Sequence, residues 1–390
     1  MRKMPYVLLA VLAIVLTACS GGDSGSSGTT TAGARSPEGA PGAAPGPTTG
    51  ATERDCDADY LDQFTTREKL GQLITVGVTG TEDALSVVRD HQVGGIFVGS
   101  WTDLSMLSDG GLQQVAEAAK VPLMVTTDEE GGRVSRLGSL IGTAPSARVT
   151  AETMTPDEYY TATLERARAM KDLGITVDFA PDIDVSAQPD DSVIGDRSYS
   201  DDPAVVTEYA DAYIRAMNEV GLGTVLKHFP GHGSGTGDSH TGAVQVPPLA
   251  ELSDKDLVPF RELIDTGSAV MVGHLDVPGL TTAGVPASIS PEVMNLLREG
   301  TGYGAAPFDG VIFTDDLSGM AAITDRMSIE QAVEATLVAG ADNALWISTD
   351  AVGSVLDQLE DAVATGRLSM DRVDASVLRM ADYKGVPRPC

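Results

Sequence analysis

Residues 227–240 read Lys-His-Phe-Pro-Gly-His-Gly-Ser-Gly-Thr-Gly-Asp-Ser-His and hold three of the chain's five histidines, a lysine and an aspartate among four glycines. Glycine opens backbone conformations that other residues avoid, so a run rich in both glycine and histidine reads as a loop that presents chemistry rather than a segment that packs. Three chemistries are open to it. His228, His232 and His240 with an acid offer a zinc site, because neutral imidazole is a common ligand, although their spacing fits no zinc motif and Lys227 would repel a cation. The histidines could instead satisfy buried backbone groups, which explains one of them better than three beside Asp238. The third chemistry is acid/base catalysis. Asp238 stands two residues from His240, close enough to orient the ring and favour its protonated form, and an imidazole titrating near about 6.5 can give and take a proton at neutral pH. Such a pair needs a group that attacks the substrate. Asp315, at the end of an apolar run, is the candidate.

The elements that must position these residues are legible as an alternation. Short runs rich in Val, Ile and Leu occupy 73–78, 95–98, 123–127, 175–179, 224–226, 269–272, 311–313 and 344–347. Stretches of helical spacing lie at 83–91, 112–120, 157–172, 203–220, 256–265, 291–298, 328–339 and 355–364, and 370–383 reads as one more helix. Continuous apolar runs indicate strands buried on both faces, and helices between them imply parallel crossovers. Eight units predict a single-domain α/β fold, a (β/α)₈ TIM-type barrel over 56–390, with a doubly wound open sheet as the competitor. In a barrel, polar groups that follow the strands gather at one rim. Asp128, Glu129 and Glu130 follow the third run, Asp182 and Asp184 the fourth, Lys227 and His228 the fifth, His274 and Asp276 the sixth, Asp315 and Asp316 the seventh.

With those residues placed, the chain resembles glycoside hydrolase family 3, specifically its β-N-acetylglucosaminidase branch. The resemblance is carried by Lys227-His228-Phe229-Pro230-Gly231-His232-Gly233, four residues, then Asp238-Ser239-His240. It extends to Asp128-Glu129-Glu130-Gly131-Gly132-Arg133-Val134-Ser135-Arg136, to Gly195-Asp196-Arg197-Ser198-Tyr199 and to Val311-Ile312-Phe313-Thr314-Asp315-Asp316-Leu317-Ser318. It implies Asp315 as the nucleophile of a covalent glycosyl-enzyme, His240 as general acid/base and Asp238 as the group that tunes it. Asp128, Arg136, Arg197, Lys227 and His228 would hold a terminal N-acetylglucosamine. Asp316 is alternatively a helix N-cap opening the stretch from Leu317. The implied enzyme is a retaining exo-β-N-acetylglucosaminidase acting on cell-wall muropeptides, needing no cofactor and no metal and working as a monomer. Two departures stand out. Glu129 occupies a position where many members carry glutamine, which makes the loop more acidic and bears on aglycone preference, and the spacer Ser234-Gly235-Thr236-Gly237 is light enough to swing.

Rival readings are a chitin-oligosaccharide hydrolase or other β-glycosidase of the family and a non-catalytic sugar-binding lipoprotein. β-Glucosidase-type relatives usually take their acid/base carboxylate from a second domain, which these residues do not encode. Arg2 and Lys3, then the apolar run 6–16, then Leu16-Thr17-Ala18-Cys19 read as a secretory signal over 1–18 whose end resembles a lipobox, with Cys19 the lipidated residue. The run is too short to span a bilayer. Residues 20–52 contain no Val, Ile, Leu, Met or aromatic residue, so 19–55 is expected to be a disordered tether reaching roughly 30 Å. The expected location is extracytoplasmic, on the membrane through the lipid alone. Loss of 1–18 removes Arg2 and Lys3 and no acid, taking the formal charge from −30 to −32, which argues against nucleic acid and polybasic lipid docking. Cys56 and Cys390, at the two ends of one domain, are disulfide candidates in an oxidising compartment.

Overall fold

Eight parallel strands follow one another around the sheet: β1 (Ile74–Val78), β2 (Gly95–Val98), β3 (Met124–Thr127), β4 (Val177–Asp178), β5 (Gly223–Phe229), β6 (Ala269–Val272), β7 (Ile312–Thr314) and β8 (Ala344–Trp346). The computed structural model describes residues 56–388. Hydrogen bonding runs in the order β7-β6-β5-β4-β3-β2-β1-β8. A parallel bridge from Phe313 to Asn343 brings the last strand against β7, so the sheet is a nearly closed barrel. The expectation of an eight-fold α/β barrel is met. Phe97, Phe179 and Phe313 belong to β2, the residue after β4, and β7, none of them neighbours. Their rings nevertheless meet, Phe97 to Phe179 at 5.8 Å and Phe179 to Phe313 at 5.3 Å between centroids, so they fill the barrel interior. Every residue of β1, β2, β3 and β6 is buried, as strands covered on both faces require.

Helices α1 (Cys56–Leu61) and α2 (Thr66–Gln72) precede β1. The outer wall is α3 (Thr81–His91), α4 (Gly111–Ala118), α5 (Pro156–Asp172), α6 (Pro203–Glu219), α7 (Leu257–Leu263), α8 (Pro291–Glu299), α9 (Ile329–Ala339) and α10 (Val352–Ala364), followed by α11 (Met370–Tyr383). Local sequence sets several starts. Thr65 with Glu68, Thr155 with Glu158 and Ser328 with Gln331 form reciprocal capping boxes, and Pro156, Pro203 and Pro291 occupy first-turn positions where no amide donor is needed. No helix among the described residues is long and apolar enough to cross a membrane.

Two strands differ from their expected extents. β4 ends at Asp178, with bonds to its neighbours continuing from Phe179 N to Thr127 O at 2.8 Å and from Val225 N to Ala180 O at 2.9 Å; Pro181, lacking an N–H, interrupts the ladder, and pairing resumes where Ile183 N donates to Lys227 O at 2.9 Å. β5 runs past the apolar run 224–226 to Phe229, which places Lys227 and His228 at the end of the strand, fixed in its ladder. Cys56 is disulfide-bonded; its expected pairing with Cys390, the signal over 1–18, the tether over 19–55 and Cys19 lie outside the described residues.

At the end of the barrel opposite the rim of polar groups, Asp342 closes the seam. Its fully buried carboxylate accepts from Ile312 N at 2.9 Å and Ser376 Oγ at 2.7 Å, and it pairs with Arg298 of α8 and, at 3.5 Å each, with Arg372 and Arg379 of α11. Removing it takes away the carboxylate these three guanidinium groups share, leaving Arg379 with Asp309 and Arg298 and Arg372 with backbone carbonyls; breaking a buried pair costs about 3–5 kcal/mol. Urea unfolding of Asp342→Ala should show a loss of that size with the slope unchanged; a loss under about 1 kcal/mol would contradict the assignment.

Candidate active site

The residues that follow the strands do converge. Asp128, Arg136, Arg197, Lys227, His228, His240 and Asp315 all line one cavity of about 300 Å³. Asp238 does not line it but is bonded to His240.

The polar wall is a buried ion network. Lys227 Nζ lies 2.8 Å from Asp128 Oδ1 and 2.5 Å from Glu130 Oε1, and Arg197 makes two bonds to Glu130, at 2.8 and 2.9 Å. Arg197 also reaches Asp182 Oδ2 at 3.3 Å, and Arg136 stands 3.7 Å from Asp128. Burial alone would raise the Glu130 carboxyl; Arg197 and Lys227 outweigh it and hold it far below the usual range. Burial would likewise lower the Lys227 ammonium, and Asp128 and Glu130 push it above its ordinary value. Glu130 is the residue that sequence reasoning passed over, having noted it only as one acid of a rim triplet. Its neighbour Glu129 carries the opposite surprise. Glu129 is turned into the fold, where it accepts from Ser135 Oγ at 2.6 Å, Arg136 N at 2.7 Å and Leu137 N at 2.6 Å and pairs with Arg166. It does not reach the cavity, so its expected influence on aglycone preference is withdrawn: successive residues of a short extended segment (Glu129–Gly131) face opposite ways.

Arg197 is aimed by a loop fixed from two sides. Arg133 donates to Ser192 O and Ile194 O, and Arg148 to the carbonyls of Ser186, Gln188 and Gly195. Gly195, at φ 48°, permits the turn; a Cβ there would meet Asp190 O at 2.4 Å.

His228 is buried and donates from Nδ1 to Asp184 Oδ2 at 2.7 Å, which leaves Nε2 as an acceptor 3.5 Å from Arg197. Burial lowers its pKa, so the ring is neutral at pH 7. Burial and the adjacent Asp184 push Asp182 up to about 7. The expected alternative of three histidines around zinc is not what the fold assembles. His228 and His232 are buried with ring centroids 5.8 Å apart, whereas the His240 side chain is 61% exposed. Among the described residues, the buried trio with ligand-like spacing is Asp182, Asp184 and His228, and Arg197 already brings a cation to it.

Asp315 follows β7 directly and is anchored by its own N–H to Val272 O at 3.1 Å. Its Oδ1 accepts from Asp316 N at 2.9 Å. Burial acts to raise its carboxyl, but His228, His274, the Asp316 N–H and Lys227 together leave it below the ordinary value, ionised at neutral pH. Asp316 is not a helix N-cap. It folds a turn by accepting from Ser318 N, Ser318 Oγ and Gly319 N, and no helix starts at Leu317. His274, another residue noted only for its place on the rim, fixes this segment: its Nε2 donates to Asp316 O at 2.8 Å and its Nδ1 meets Ser288 Oγ at 2.7 Å.

Asp238 and His240, the expected acid/base pair, sit on an arm at the cavity mouth. Asp238 Oδ1 accepts from both His240 N at 2.9 Å and His240 Nδ1 at 2.8 Å. Burial acts to raise the Asp238 carboxyl, and the His240 bonds together outweigh it and leave its pKa lowered. The arm is closed at its base by the Thr236–Gln245 bridge and tied beyond β7 where Ala322 N donates to Ser239 O at 3.1 Å. Chemically, the cavity offers a fixed carboxylate, an imidazole that can exchange protons with solvent, and a cationic and carboxylate cradle for a polyhydroxylated ring.

The family model of the glycosyl hydrolase family 3 N-terminal domain matches residues 65–382. The chain therefore belongs to glycosyl hydrolase family 3 and is a glycoside hydrolase. The chain is 52% identical over 387 residues to the β-hexosaminidase LpqI of Mycobacterium tuberculosis, covering 98% of this chain and 97% of the relative. Among solved structures, M. tuberculosis LpqI aligns with a TM-score of 0.83 at 54% identity, over 84% of this chain and 96% of that one. A family 3 glycosyl hydrolase from Mycobacterium smegmatis aligns with a TM-score of 0.81 at 57% identity, over 85% and 98%.

Glu130→Ala should release Lys227 and Arg197 from the cradle and lower kcat/KM by roughly 100-fold, mainly through KM, because small displacements of positioning groups are costly. Steady-state kinetics decides; an effect under about threefold would remove Glu130 from the site.

Proposed function

We propose that this chain is a retaining exo-β-N-acetylglucosaminidase that removes terminal N-acetylglucosamine from cell-wall muropeptides. The observation that carries the reading is that one cavity is lined both by Asp315, ionised and backbone-anchored, and by His240, which is bonded to Asp238. The relatives named as β-hexosaminidases support the choice of sugar. In the first step Asp315 attacks the anomeric carbon as the glycosidic C–O bond breaks, and the proton on His240 passes to the leaving oxygen. In the second, His240 takes a proton from water, the hydroxide attacks the same carbon, and Asp315 leaves as carboxylate. Two inversions retain the configuration. Lys227, Arg197, Asp128 and Arg136 grip the terminal sugar, and His228, held neutral, accepts rather than repels.

The same proposal places the enzyme outside the cytoplasm, held to the membrane by lipid on Cys19 and needing no other membrane contact. A disulfide at Cys56 supports an oxidising compartment. A surface-anchored enzyme of this specificity meets muropeptides before chitin oligomers, which is the basis for preferring the former as substrate.

Asp315→Ala should lose at least roughly 1,000-fold in release of p-nitrophenol from p-nitrophenyl N-acetyl-β-glucosaminide, with partial rescue by azide; full activity in that variant sinks the assignment. His240→Ala should impair substrates with poor leaving groups far more than activated aryl glycosides, and equal losses would count against His240 as the acid. Asp238→Asn removes the carboxylate that holds the His240 ring through Nδ1, so kcat/KM should fall more for substrates with poor leaving groups than for activated aryl glycosides. Equal losses on the two substrates would show that Asp238 does not position the acid.

A further inference from the structure

We propose that Trp101 is the platform of an aglycone subsite, on which the second pyranose ring of a β-linked substrate stacks while the first is held by the ion network; this rests on the function proposed above. The cavity has two unlike walls. One is the charged cradle, and the other is apolar, formed by Phe97, Trp101, Met320, Leu345 and Ile347. Trp101 and Ile347 are shared with a neighbouring depression of about 260 Å³, which Asp83, Thr349 and Asp350 also line and which none of the sugar-gripping residues reaches. The indole thus forms the threshold between the cavity that holds the reacting sugar and a second space open to solvent.

An exposed aromatic residue needs no explanation by itself. Trp101 differs in being exposed and fixed. It is 41% exposed, while the chain's other tryptophan, Trp346, is 1% exposed. The turn that carries it is pinned: Thr102 Oγ1 donates to Val78 O at 2.6 Å, Gly99 N donates to Thr102 Oγ1 at 3.0 Å, and Thr102 N donates to Gly99 O at 3.2 Å. The indole lies across Gly99 so closely that a Cβ there would stand 2.5–2.7 Å from its ring carbons. Phe97 backs it, with centroids 5.9 Å apart. A rigid apolar ring at the C-terminal rim of a barrel, with its free side over a cavity, is the arrangement that stacks against the C–H face of a sugar. Polar groups for that sugar's hydroxyls lie beyond it. Asp83 is already set by Thr79 N at 2.8 Å and Thr349 Oγ1 at 2.6 Å.

The test compares two substrates that share the terminal sugar. N-Acetyl-β-glucosaminyl fluoride has no aglycone ring, and N,N′-diacetylchitobiose has a pyranose there. The ratio of kcat/KM for the disaccharide over the fluoride should fall about tenfold or more in Trp101→Ala, the scale of one lost stacking contact, and Trp101→Phe should restore most of it. An unchanged ratio in Trp101→Ala overturns the subsite, whether or not both rates fall together. Wild-type turnover of the fluoride without the disaccharide overturns it as well. Wild-type enzyme inactive on both overturns the glucosaminidase reading itself.

Discussion

The site depends on one electrostatic constraint: two cations, Lys227 and Arg197, are buried with Asp128, Glu130 and Asp182 as their ion-pair partners. A charge taken out of water is tolerated only when it is paired and its remaining hydrogen bonds are met. The partners arrive from different places in the chain. Lys227 comes from β5, Asp128 and Glu130 from the segment after β3, Asp182 and Arg197 from the loop after β4. β3, β4 and β5 are neighbours in the parallel sheet, so their C-terminal ends bring these partners together at one rim, where their charges are already arranged.

The two halves of the chemistry are held differently. Asp315 is fixed by its backbone bond to Val272 and by His274 acting through Asp316, and it is ionised because His228, His274, the Asp316 N–H and Lys227 outweigh its burial. His240 stands on a glycine-rich arm in contact with water. Each placement suits the role proposed for it. A nucleophile gains from rigid aim, whereas a group that must donate a proton to the aglycone and then draw one from water gains from access to both.

Much of this was legible in the chain. Buried parallel strands need uninterrupted apolar runs, so all eight were recognisable, and helix starts such as Thr155 with Glu158 announce themselves locally. The motifs around Asp315 and His240 named the family, and the barrel then brought the motif residues to one cavity. What escaped was whatever depends on partners distant in sequence. Proline at 181 interrupts the ladder after β4 while cross-strand pairing lengthens β5, and neither is set by apolar content. Glu129 and Glu130 are chemically alike, and only the backbone decides which one faces the substrate. His274 works through a carbonyl 42 residues away. Trp101, in a loop with no motif, acquires meaning only from the two cavities it separates.

The most direct test is to trap the glycosyl-enzyme with a slowly turned-over fluorinated N-acetylglucosaminyl fluoride and map the labelled peptide by mass spectrometry. The account predicts a single adduct, on Asp315, that disappears on incubation without reagent as the sugar is released with β configuration. An adduct on another carboxylate, or release of the α anomer without any adduct, would contradict it.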